Sequence, residues 1–253
     1  MTGPDTLIKA EITAFLRANG HAVVEIPRSN KKSPDLFVDE GTPESLLLEI
    51  KTKQDDAAEV AQLRARLQQT SGVVGRSKPT GAWNNLSGIL ENGVRQFQVH
   101  DPARKHYRVI WFHCEGIDAE VARTRLHATL YGTQKLVSTE IQNVVTAYYF
   151  WNSAFHRFRD DLDGVVISVN GAAQLFLNQF SAKLAPVQGT AFVRRFGPPF
   201  LPVEKSDEKD LMICDPGAPR GDAGAMVEFL RRKHSLAHLQ IMNMGFQSGW
   251  VAS

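Results

Sequence analysis

Apolar residues recur at helical spacing near the start of the chain. Leu7, Ile8, Ile12, Phe15 and Leu16 fall on one stripe, which predicts an amphipathic helix. Asp5 suits its N-cap and Gly20 its C-terminal stop. Glu11 interrupts the stripe, spaced helically from both Leu7 and Phe15, so it is expected on the apolar side. The pattern then shortens. HAVVEIP (21–27) reads as a strand, RSNKKS as a basic loop and PDLFVD (34–39) as a short strand. DEGTPES is a turn punctuated by Gly41 and Pro43. SLLLEIKTK (45–53) is a third strand, apolar enough to be central in a sheet.

Further on, QDDAAEVAQLRARLQQ (54–69) has a helical composition. SGVVGRSKPTGA (71–82) reads as a glycine-rich basic loop, and NNLSGILENGVRQFQ (84–98) as a helix despite Gly88 and Gly93. HYRVIWFHC (106–114) has the β-branched and aromatic content of a strand, and DAEVARTRLHATLYG (118–132) is helical. VVTAYYFWNSAFHRF (144–158), read as a helix, is apolar on most faces and is expected in a core or an interface. DGVVISVNG (163–171) predicts a strand, 197–224 loops, and EFLRRKHSLAHLQ (228–240) a helix. No internal repeat or low-complexity tract is visible.

Composition adds limits to this picture. The 253 residues, 43% hydrophobic and 22% charged, are ordinary for a soluble globular protein and enough for one sizeable domain. The net charge of +2 neither favours nor excludes a polyanionic substrate, because a local patch is sufficient to bind one. Cys114 and Cys214 form no C-x-x-C pair, so neither a zinc site nor a disulfide framework is expected. The opening MTGPDTLIKAEITAF lacks the features of a signal peptide, and no stretch is apolar enough to span a bilayer. A cytoplasmic protein without membrane association is expected.

The chemistry lies in the third strand. Side chains alternate across a strand, so Glu49 and Lys51 share a face, with Lys53 beyond them, while Ile50 points to the core. Burying a carboxylate and an amine together is costly unless they form a site with another charge. Asp35, one strand earlier, can supply a second carboxylate. Two carboxylates suit a hard cation such as Mg²⁺ or Mn²⁺, and a lysine beside it suits a reaction in which negative charge develops.

Pro34-Asp35 followed after thirteen residues by Glu49-Ile50-Lys51 resembles the motif of the PD-(D/E)XK nuclease superfamily. That resemblance implies a restriction endonuclease-like core: a helix, a three-stranded meander carrying the motif, a second helix and a further strand. It covers residues 5–114 of a single 1–253 nuclease domain. Residues 115–253 would be a C-terminal elaboration that completes the sheet or mediates association. Carried over residue by residue, Asp35 and Glu49 would hold the metal with the backbone carbonyl of Ile50, and Lys51 would be the catalytic lysine. Glu11 would match the glutamate that the first helix adds in some branches. The implied activity is metal-dependent phosphodiester hydrolysis, with DNA favoured over RNA, in defence against foreign DNA or in repair. A homodimer or a larger complex is implied for double-strand cutting, with 144–158 as the candidate contact. Two alternatives stay open: a catalytically silent nucleic-acid-binding or scaffolding module, and a toxin-type ribonuclease.

Other signals are weaker. Lys31, Lys32, Lys53, Arg76 and Lys78 are candidates for nucleic-acid backbone contacts. Lys78 does not follow a glycine, so P-loop spacing is absent. Asp160, Asp161 and Asp163 lack the spacing of a calcium loop and read as a polar turn. His234 and His238 are four apart, with no glutamate between them to act as a base.

Overall fold

A computed structural model describes residues 4–27, 32–41, 44–69, 73–81, 84–141, 143–151, 153–205, 208, 210–242 and 246–252. The chain opens with α1 (Pro4–Ala18), β1 (Ala22–Glu25), β2 (Leu36–Asp39) and β3 (Leu46–Lys53). Next come α2 (Ala57–Gln69), β4 (Val73–Pro79), α3 (Asn84–His100), β5 (Tyr107–Cys114) and α4 (Ala119–Tyr131). β6 (Gln134–Val137), β7 (Val144–Tyr148), the short α5 (Ala154–Arg157), β8 (Gly164–Val169) and β9 (Ala172–Leu177) follow. The last part holds α6 (Leu184–Gln188), α7 (Ala191–Phe196), a 3-10 turn at Pro202–Lys205, β10 (Leu211–Ile213), α8 (Ala223–Lys233), β11 (Gln240–Ile241) and β12 (Phe246–Ala252).

The chain forms two compact units, interleaved along the sequence. The first comprises Met1–Thr52, Asn84–His113 and Ala154–Glu204, and the second Lys53–Trp83, Cys114–Ser153 and Lys205–Ser253. One boundary falls between His113 and Cys114, but Lys53–Trp83 before it belong to the second unit and Ala154–Glu204 after it to the first.

In the first unit a six-stranded mixed sheet runs in the order β1-β2-β3-β5-β8-β9. β1, β2 and β3 form an antiparallel meander. β5 then joins β3: the Tyr107 N–H donates to the Ser45 carbonyl. One face of the sheet packs under α1, where Ile8, Ile12 and Leu16 meet Leu36, Val38, Leu46, Leu48, Val109 and Trp111. These strand residues alternate in sequence, as one buried face requires. Gly20 at φ +82° ends α1, with its own N–H donating to Arg17 and that of His21 to Leu16.

Leu86, Leu90, Val94 and Phe97 of α3 are also buried. Gly93, which weakens the helical pattern in sequence, has a packing reason: a Cβ there would lie 2.8 Å from Ile110 Cδ1 and 3.6 Å from Glu49 Cγ. The missing side chain lets α3 approach β5 and the Glu49 side chain closely. Gly93→Val is therefore expected to overpack the contact and cost about 1–3 kcal/mol, read as a shift of the urea midpoint at constant m-value. The opposing gain in helix propensity is smaller.

The second unit holds a four-stranded sheet, β10-β7-β6-β11, and the β4–β12 pair. Two expectations fail here. Residues 71–82 are not simply a loop: β4 pairs antiparallel with β12 from Val73 to Pro79. The partner strand lies about 170 residues away and leaves no local signal at β4. Nor is 144–158 one helix. β7 occupies an inner position of its sheet, between β10 and β6, and alternates Val145 and Ala147 inward with Val144 outward. Tyr149, at φ +61°, closes the strand. Val145, Ala147, Tyr149, Phe150 and Phe155 are all buried within the chain.

α8 begins earlier than its apolar pattern suggests, because Asp222 caps it by accepting the Ala225 N–H. It ends at Lys233, so His234 and His238 do not share a helix. Among the described residues, no helix is long and apolar enough to cross a membrane.

Candidate active site

A cleft of about 790 Å³ opens in the first unit. The N-terminal part of α1, the end of β1, the run Lys32–Asp35, the Glu49–Thr52 stretch of β3 and Gln96 of α3 line it.

The β2–β3 register positions its two central carboxylates. Leu36 pairs with Leu48 and Phe37 with Leu47, and just before this ladder Asp35 lies beside Glu49, close enough for its charge to bear on the Glu49 carboxyl. The Asp35 main chain is fixed on both sides: its N–H donates to the Leu48 carbonyl at 3.1 Å and its carbonyl accepts from the Ile26 N–H at 3.0 Å. Its Oδ2 accepts the Ile50 N–H at 3.0 Å, so the carboxylate is held against the motif strand. Ile50 turns its side chain toward the core beneath α1.

Glu49 is 3% exposed. Lys51 Nζ and Gln96 Nε2 both donate to its Oε1 at 2.5 Å. Its Oε2 is buried and has no hydrogen-bond partner among the described residues. Burial pushes the Glu49 carboxyl up from its ordinary 4.5 to about 7, and the neighbouring Asp35 charge adds to the rise while Lys51 opposes it. A buried carboxylate oxygen without a donor is costly, and a cation beside it would remove that cost. Oε2 of Glu49 and the carboxylate of Asp35 thus fit the demands of a hard divalent ion completed by water. Among the described residues no cluster of three or more His, Cys, Asp or Glu side chains is gathered for a metal, so a centre here would rest on these two carboxylates.

The remaining sequence candidates are placed differently. Lys32 lines the cleft. Glu11 does not: it is exposed, while Asp5, Thr6 and Lys9 are what α1 contributes. The apolar stripe that places Glu11 inward is only partly buried, since Leu7 and Phe15 are 56% and 41% exposed. Lys53, Arg76 and Lys78 belong to the second unit. There Arg76 and Lys78 pair with Asp118 at 2.9 and 2.6 Å, and Lys78 also pairs with Glu59. Lys31 lies outside the described residues.

Three cleft residues escape the sequence pattern: Lys9, Glu25 and Gln96. Lys9 Nζ lies 3.3 Å from Glu25 Oε2 and 3.7 Å from Asp35 Oδ1. Gln96 carries a faint signal, since it lies one helical turn from Gly93 beside the buried stripe of α3. Lys9 and Glu25 carry none.

The first unit is thus a mixed α/β fold with a carboxylate–lysine cleft at the motif strands. No family model matches the chain, and no match is found to a curated protein or to a solved structure.

Proposed function

We propose that this chain is a metal-dependent nuclease of the PD-(D/E)XK type, hydrolysing phosphodiester bonds with DNA as the favoured substrate. The observation that carries this reading is Asp35 and Glu49 side by side in the cleft, with Lys51 bonded to Glu49 and one buried Glu49 oxygen without a donor among the described residues. The order α1, antiparallel β1-β2-β3, then α3 and β5 supports a restriction endonuclease-like core, with α2 and β4 inserted into the second unit.

Asp35 and Glu49 would hold Mg²⁺ or Mn²⁺, with the Ile50 carbonyl as a further ligand implied by the motif. The bound ion would supply Lewis-acid stabilisation of the phosphoryl oxygens. The other roles fall to the chain. Gln96 and Lys51 both bind the same Glu49 oxygen, which orients the carboxylate and leaves Oε2 available. The Lys51 ammonium places positive charge where negative charge grows in the transition state and can orient the attacking water. Lys32 gives the cleft a cation for a neighbouring phosphate.

The test is cleavage of plasmid DNA and of tRNA with Mg²⁺ or Mn²⁺. Wild type should cut DNA in preference to tRNA and stop when the metal is chelated. Lys51→Ala should be slower by about 10²-fold or more, and Asp35→Ala should show no metal-dependent cutting. Activity that survives both substitutions would falsify the catalytic assignment. Preferential cutting of tRNA would move the substrate to RNA.

A further inference from the structure

Lys9 has no role in the chemistry above, yet its ammonium stands beside a proposed metal ligand. Its Nζ lies 3.7 Å from Asp35 Oδ1 and 3.3 Å from Glu25 Oε2. The Lys9 side chain is 15% exposed and that of Asp35 21%, whereas that of Glu25 is 58% exposed. Ile8 and Ile12 of the same helix are buried in the core, so packing fixes the element that carries Lys9. Asp35 is fixed as well, since its Oδ2 accepts the Ile50 N–H. The Lys9–Asp35 contact thus joins two anchored groups and is not a loose surface pair. Glu25 offsets only part of the ammonium charge, because water and salt screen an exposed carboxylate. The remainder falls on Asp35. Lys9 therefore supplies positive charge to a carboxylate that a metal would also need, and two cations sharing one anion repel each other.

We propose that Lys9 attenuates metal binding: it is a fixed counter-ion to Asp35 that lowers the affinity of the centre for its divalent ion. This rests on the reading of Asp35 and Glu49 as metal ligands. Lys9 is a positioning residue that acts through Asp35. It holds that carboxylate in place before an ion arrives and opposes the ion's charge once it is bound. Glu25 moderates the effect by taking up part of the Lys9 charge.

Titrating the full chain with Mn²⁺ and reading the free ion by electron paramagnetic resonance tests this without any turnover. Lys9→Met should bind Mn²⁺ about tenfold more tightly than wild type, since a divalent ion doubles the repulsion between unit charges. Glu25→Gln should move the other way and bind about two- to threefold more weakly, because the whole ammonium charge then bears on Asp35. Lys9→Arg keeps the charge and should stay near wild type. A merely structural role for the Lys9–Glu25 pair would instead weaken binding in both Lys9→Met and Glu25→Gln. Circular dichroism checks that each variant folds, and Lys9→Gln replaces Lys9→Met if the latter does not. Unchanged or weaker binding by the folded Lys9 variant, or tighter binding by Glu25→Gln, overturns the inference and leaves the nuclease reading intact. No Mn²⁺ on wild type overturns both.

Discussion

Glu49→Gln should lose about three orders of magnitude in cleavage rate while making the metal-free protein more stable at alkaline pH. The first effect follows, on the proposed reading, from removing the charge that a bound cation and Lys51 would both need. The second follows from the carboxyl's surroundings. Burial lifts Glu49 from 4.5 to about 7, so between those values the folded protein keeps a proton that the unfolded chain has released. Its contribution to stability is whole below pH 4.5, declines as pH rises, and is lost above about 7. The gap is worth roughly 3 kcal/mol. Glutamine has the same shape and never ionises, so the variant should match wild type near pH 4.5 and exceed it by up to that amount at pH 8. Urea melts at the two pH values, without divalent ions, measure it. Mg²⁺ should reverse the order, stabilising wild type and not the variant, because only an ionised Glu49 offers Oε2 to it. If both proteins show the same pH dependence, Glu49 is not held in the environment described.

The second large effect lies away from the cleft. Asp163 is fully buried at the start of β8. Its Oδ1 accepts from Arg104 at 2.6 Å and from Ser181 Oγ at 2.5 Å, and its Oδ2 accepts the Arg108 N–H at 2.9 Å. The Arg108 side chain is 2% exposed and pairs with Asp161 at 2.9 Å. This network ties β5 to β8 and to the turn before α6. Asp163→Ala removes three acceptor bonds and leaves Arg104 without its buried counter-ion. Removing one partner of a buried pair costs about 3–5 kcal/mol, large beside the total stability of an ordinary domain. Equilibrium urea unfolding should show the loss, and Asp160→Ala, at an exposed position nearby, should cost much less. A loss under about 1 kcal/mol for Asp163→Ala would mean that the network contributes nothing net.

Local sequence decided much of the first unit. Ile8, Ile12 and Leu16 at helical spacing, and Leu36, Val38, Leu46 and Leu48 at strand alternation, specify α1 and the meander through which face must leave water. The same alternation gives Glu49 and Lys51 a common face. The antiparallel pairing of β2 with β3 then brings Asp35 beside Glu49. For that reason the central residues of the candidate site were legible in the chain alone.

Only the tertiary structure decided the rest, because long-range pairing leaves no local trace. β4 becomes a strand through β12, far along the chain, and β7 through neighbours on both sides that no window around 144–158 contains. Lys9 and Glu25 are ordinary surface types in sequence and meet only because α1 and β1 pack at one end of the cleft. Gly93 looks like a weakness in a helix until Ile110 is placed against it. Periodicity tells a side chain which way to face, whereas which partner it finds there depends on contacts between segments distant in sequence.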